Sequence, residues 1–106
     1  MMMDWISLLP VADFPVGASR CFLVRGQRIA VFRTENGWHG FDDNCPHAQA
    51  PLSDGWLEDG CVVCPWHGAR FDLESGGAMT PPAASGVRIF KLRVENETLQ
   101  LAWPQD

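Results

Sequence analysis

Cys45-Pro46-His47 and Cys64-Pro65-Trp66-His67 are the two stretches on which the reading of this chain turns. Each sets one thiol and one imidazole beside a proline of fixed φ, and sixteen residues, Ala48 to Val63, separate His47 from Cys64. Thiolates and imidazoles are the side chains that hold transition metals. Two such pairs make a four-ligand donor set divided between two loops. The surrounding texture fits that reading: residues 43–86 hold five of the eight prolines, three of the four cysteines and two of the three histidines. A stretch of this composition has poor means of burying itself without a cross-link.

On either side the pattern changes to short alternating runs punctuated by glycine, proline and Asx residues, which predicts an all-β fold. Arg20–Arg25 and Arg28–Arg33 flank Gly26-Gln27 as a hairpin. Glu35-Asn36-Gly37 is the next turn, its Asn-Gly pair suited to positive φ, and leads into Trp38-His39-Gly40-Phe41. Near the C-terminus Val87–Val94 is expected to pair, through Glu95-Asn96-Glu97, with Leu99–Trp103. Leu99, Leu101 and Trp103 share one parity and should face the core. Ile89-Phe90 interrupts the alternation of its strand, as a bulge would.

The chain has 106 residues, 46% hydrophobic and 20% charged, with a net charge of −5, so a single globular domain over residues 1–106 is expected. Thirteen acidic against eight basic residues, with Lys91 the only lysine, disfavour a nucleic-acid partner. No apolar run is long enough to span a membrane, and the opening Met1-Met2-Met3-Asp4-Trp5 lacks the positive n-region of a secretory signal. The expectation is a cytoplasmic protein without a membrane partner, in which cysteines serve metals or stand as isolated thiols rather than disulfides.

Two centres satisfy two Cys and two His. One is a [2Fe–2S] cluster with both cysteines on one iron and both histidines on the other, so that each loop reaches both irons. The other is a structural zinc, which would make the chain a stapled interaction module. Zinc fingers usually group like ligands, whereas the order here is Cys-His then Cys-His. A zinc knuckle through Cys61-Val62-Val63-Cys64 conflicts with Val62-Val63 as buried strand, where alternate residues face opposite ways.

Cys45-Pro46-His47, Pro51-Leu52-Ser53-Asp54-Gly55, Cys64-Pro65-Trp66-His67-Gly68 and Phe71-Asp72-Leu73 through Gly76 together resemble the Rieske ferredoxin signature, in order, over nearly the whole chain. The resemblance implies a Rieske-type fold: an antiparallel β-sandwich base carrying an inserted loop-rich cluster-binding subdomain at about residues 43–69. It implies one [2Fe–2S] cluster, with Cys45 and Cys64 on the inner iron and His47 and His67 on the outer iron. Such a centre leaves no position open for substrate, and no acid–base pair or activated nucleophile stands out elsewhere. Single-electron transfer within a multicomponent oxidoreductase is therefore the expected role.

Two systems are implied. Cys21–Val24 and Gln27–Arg33 resemble the small subunit of NAD(P)H-dependent nitrite reductase, whose large subunit holds flavin and siroheme. The cluster motif equally resembles the ferredoxin component of aromatic-ring-hydroxylating dioxygenase systems, between a flavin-containing reductase and a terminal oxygenase; with the N-terminal half added, the nitrite reductase small subunit is the expected role and the dioxygenase ferredoxin the alternative. Rieske proteins of cytochrome bc complexes have an extra cysteine in each loop and a serine donor to a sulfide. Ala50, Trp66 and Ala69 stand at those positions here.

The remaining candidates have plainer readings. Cys21 and Cys61 are expected as small core residues, His39 as a surface or half-buried strand residue, and Trp5, Trp38, Trp56 and Trp103 as packing. Asp42-Asp43 and Glu58-Asp59 are expected as solvated turn residues. Trp66 lines a docking surface or covers the cluster, and Gly68 permits the loop conformation. Without cluster, order around residues 43–69 should be lost first.

Reduced protein is expected to give the EPR signal of a [2Fe–2S] centre. Its midpoint potential should fall toward the lower end of roughly −150 to +300 mV, because the extra dipoles of the high-potential branch are missing. A colourless protein containing one zinc would overturn the cluster; voltammetry giving a strongly positive value would overturn the potential.

Overall fold

Ile29-Ala30-Val31-Phe32 occupies the middle of the molecule, with all four side chains buried at odd and even positions alike. Alternate residues of a strand point to opposite faces, so a strand buried throughout must be covered on both sides. The structure, a computed structural model describing residues 3–43, 51–66, 68–79 and 86–104, supplies both covers. With strands numbered in chain order, the central sheet runs β2 (Ser19–Val24), β3 (Gln27–Thr34), β4 (Gly37–Asp42), β8 (Ile89–Phe90). A second sheet, β1 (Met3–Pro10), β10 (Thr98–Pro104), β9 (Leu92–Glu95), packs on one side, where Ile29 and Val31 meet Phe14, Phe90, Leu99 and Leu101. The third sheet, β5 (Trp56–Glu58), β6 (Cys61–Val63), β7 (Arg70–Asp72), packs on the other, where Ala30 and Phe32 meet Phe41, Val62, Cys64 and Phe71. All named strand pairs are antiparallel, and the Rieske-type all-β architecture expected from the sequence is the one observed.

The hairpins follow from local chemistry. Val24 pairs with Gln27, so the first turn is Arg25-Gly26, one residue earlier than expected, with φ of +50° and +81°. Positive φ at both central residues marks the turn whose twist matches antiparallel strands. Asp59-Gly60 joins β5 to β6 and Asn96-Glu97 joins β9 to β10 in the same manner. The turn from β3 to β4 differs: Asn36 does not adopt positive φ. Its N–H instead donates to the Thr34 hydroxyl (3.2 Å), which itself donates to the Gly37 carbonyl (3.2 Å).

Two expectations are corrected. Val87–Val94 is not one strand: Ile89–Phe90 pairs with β4 in the central sheet and Leu92–Glu95 with β10 in the neighbouring one. The broken alternation at Ile89-Phe90 therefore marks a change of sheet, not a bulge. The N-terminal strand β1 was not expected; it covers β10 with a register shift between Ser7 and Leu9. Leu99 and Leu101 are fully buried and Trp103 stacks on Phe90 at 5.8 Å, as their parity requires.

Truncating Phe41, fully buried on β4 beside the central strand, is expected to cost about 3–5 kcal/mol in urea unfolding. Leu23→Ala on β2, where the side chain is 73% exposed, should stay within about 0.5 kcal/mol of the parent.

Candidate metal centre

The third sheet brings together, at one of its ends, the two loops that carry the candidate ligands. Trp56 pairs with Val63, and Val63 with Arg70, so these three residues form one row across β5, β6 and β7. Chain direction does the rest. The first loop enters this sheet at Trp56, while the second leaves at Val63 and returns at Arg70. All three crossings lie at the same end of the sheet. Gly55, just before the row, shows how close the approach is: a Cβ there would fall on the Val63 carbonyl oxygen. No other residue could lay the exit of the first loop on the strand that launches the second.

Cys64 is the first residue beyond that row. Its N–H donates to the Ala69 carbonyl (2.8 Å), and its own carbonyl accepts from the Gly68 N–H (3.1 Å). Gly68 has φ of +72°, so it supplies the left-handed conformation the loop needs. The Cys64 thiol is fully buried beside Leu52, Val62 and Ala69 and forms no disulfide. A reduced, enclosed thiol at the meeting point of two loops suits a thiolate ligand. Cys45, His47 and His67 lie outside the described residues, as does Ala50.

The described stem of the first loop is held tightly. Asp43 ends the central sheet, its N–H donating to the Arg28 carbonyl at 2.9 Å. Ser53 sits in the short turn Leu52–Asp54 and donates twice to Asp43, N–H to Oδ1 and Oγ to Oδ2, both at 2.7 Å. The Ser19 hydroxyl also donates to the Ser53 carbonyl (3.0 Å). Asp43 is 3% exposed, so the expectation of a solvated turn residue is corrected. Its only sequence signal is position, immediately before the ligand loop. Hydrogen bonds to a charged group are worth about 1.5–3 kcal/mol each, which offsets much of the burial cost.

On the outer face of the third sheet, Glu58 accepts from Arg70 (2.8 Å) and from the Trp56 indole N–H (3.0 Å). The Arg70 guanidinium, then the indole, hold the Glu58 carboxyl below its ordinary range. That preference favours the folded state above the ordinary carboxylate range and fades as pH falls through the lowered folded value. Trp56 is about half exposed, not packed as expected, and Trp66 at the second loop is 64% exposed. His39 is half-buried, as expected.

Cys61 opens β6 and Cys64 follows its last residue, and both are buried; Cys61 is a core thiol as expected. Cys21 is not: it lies exposed on the edge strand β2, although it shares a face with its buried partner Ala30. Burial of the sulfur, reinforced by the neighbouring Asp43 carboxylate, nevertheless pushes its thiol up to about 11.

Comparison with known proteins accords with this geometry. The profile of the Rieske [2Fe-2S] domain matches residues 4–91. The ferredoxin component of naphthalene 1,2-dioxygenase/salicylate 5-hydroxylase systems from Ralstonia sp. is 32% identical over 101 residues, 95% of this chain and 97% of its own. The anthranilate 1,2-dioxygenase ferredoxin subunit of Burkholderia cepacia is 40% identical over 91 residues, 86% and 84% of the two chains. A solved structure from Mycobacterium tuberculosis, assigned to the small subunit of an NADH-dependent nitrite reductase, superposes with a TM-score of 0.89 at 22% identity, covering 100% of both chains.

Alkylation mapped residue by residue at pH 8 should find Cys21 about tenfold or more slower than an unperturbed thiol, despite its exposure, because so little of it is thiolate. Labelling at the rate of a free peptide cysteine would contradict the environment described.

Proposed function

The chain belongs to the Rieske [2Fe–2S] family, carries one such cluster and transfers electrons, and from that premise we propose that it is the ferredoxin component of an aromatic-ring-hydroxylating dioxygenase system. The observation that carries this reading is the full-length similarity, at 32–40% identity, to ferredoxin components of such systems. Cys45 and Cys64 are the proposed thiolate ligands and His47 and His67 the imidazole ligands, on one cluster-binding subdomain of about residues 43–69 within a single domain spanning 1–106. In support, Cys64, a fully buried free thiol, follows Val63, whose carbonyl Gly55 approaches where the first loop reaches the same sheet end. When bound, the cluster supplies a reversible one-electron couple with four protein ligands. The chain's own residues hold it between two loops tied to one sheet and enclose Cys64 away from water.

The proposed donor is a flavin-containing reductase and the proposed acceptor a terminal oxygenase, in the cytoplasm. The exposed Trp66 indole, next to His67 in sequence, offers a flat contact surface for either. The protein's net charge of −5 would steer it toward a basic face, with rates that fall as salt rises. Among the described residues no helix is long and apolar enough to cross a membrane.

A second reading, the small subunit of a nitrite reductase with siroheme as acceptor and a flavin-bearing large subunit as donor, is favoured by the end-to-end superposition at TM-score 0.89. Stopped-flow mixing of the reduced protein with each purified acceptor separates the two. Rapid oxidation by the dioxygenase oxygenase, and none by the siroheme reductase, is expected; the reverse result would assign the chain to nitrite reduction. Cys64→Ala should abolish the EPR signal. A variant retaining the parental signal would remove Cys64 from the ligand set.

A further inference from the structure

Asp43 is the only buried charged residue among the described residues, and nothing about the core explains its charge. An apolar pair would close the same loop without the cost of burying a carboxylate. What the carboxylate provides instead is direction. Its two oxygens take the two donors of a single residue, Ser53 N–H and Oγ–H, each at 2.7 Å, so the partner is fixed in distance and in rotation. Both halves of this clamp are anchored independently. Asp43 is tied through its N–H to the Arg28 carbonyl of the central sheet. Ser53 is tied through its carbonyl to the Ser19 hydroxyl, and its neighbour Leu52 is fully buried in the same apolar cluster as Cys64.

The clamp therefore joins the two ends of the first ligand loop without help from the cluster. Cys45 follows Asp43 by two residues, so covalent geometry keeps their Cα atoms within about 7 Å whatever the loop does. A ligand so close to a fixed stem inherits the stem's position. A buried negative charge two residues from a cluster ligand would act on the one-electron couple held there with little screening by salt. A fixed negative charge favours the more positive, oxidised state.

We propose that Asp43 and Ser53 are positioning residues of the electron-transfer centre: the pair presets the first ligand loop, and the Asp43 charge holds the midpoint potential down. This rests on the assignment of Cys45 as a ligand, which Cys45→Ala tests separately through loss of the cluster itself. If Cys45→Ala keeps the parental EPR signal, the ligand assignment fails, and the clamp proposal fails with it for that distinct reason.

The experiment uses the cluster-loaded full chain. Ser53→Ala removes one clamp bond and leaves the charge; Asp43→Asn keeps the shape and removes the charge. Ser53→Ala is expected to release iron to a chelator roughly tenfold faster than the parent, with its midpoint potential little changed. Ser53→Thr, which restores the hydroxyl, should return iron release to the parental rate. Asp43→Asn should raise the midpoint potential, a shift that a merely structural residue would not produce. Amide exchange in apo protein adds a readout free of the cluster: within residues 43–69, where order is otherwise expected to be lost first, the Ser53 N–H should stay protected when iron is removed. Parental iron release in Ser53→Ala would overturn the positioning role, as would an apo Ser53 N–H that exchanges freely. An unmoved potential in Asp43→Asn would overturn the role of the charge.

Discussion

Burial of β3 on both faces is the constraint from which the rest of the structure follows. Ile29 and Val31 point one way and Ala30 and Phe32 the other, and water is excluded from all four. One face is met by Leu99 and Leu101 of the terminal sheet, the other by Val62 and Phe71 of the sheet that carries the second ligand loop. The middle strand thus joins two apolar clusters that would otherwise be separate small cores. For a chain of this size, that arrangement extracts burial from nearly every strand. It also ties the loop-bearing sheet to the β base through packing.

The three-stranded sheet converts this packing into a site. Its strands are only three residues each, yet the row Trp56–Val63–Arg70 aligns the exit of one loop with both ends of the other. Short strands joined by a tight Asp59-Gly60 turn leave little freedom in register. Close contact at Gly55 and the left-handed Gly68 are the local consequences. Across the first loop, from its entry to its exit, the Asp43–Ser53 pair performs with hydrogen bonds what Leu52 and Cys64 perform with apolar contact.

Particular residues show where sequence reasoning reached and where it stopped. The hairpin around Arg25-Gly26 and the parity of Leu99, Leu101 and Trp103 were legible because alternation and turn chemistry are local. Val87–Val94 was misread as one strand because apolar periodicity does not say which sheet a strand joins. Lys91 marks that change, and only the pairing partners reveal it. Asp43 and Cys21 were each misplaced for a related reason. A charged residue looks solvated until the partners that satisfy it are known, and a cysteine in an apolar run looks buried until its strand is found at the edge of a sheet.

What the sequence determined by itself was chemical: two Cys-Pro-containing pairs of candidate ligands, and their order. Those are properties of residue type and spacing, and they survive any folding detail. Tertiary structure alone decided which strands share a sheet, that both loops leave one sheet end, and that a carboxylate 43 residues along the chain is buried against a serine ten residues later. Such facts depend on contacts between segments remote in sequence, where burial, not local propensity, sets the outcome.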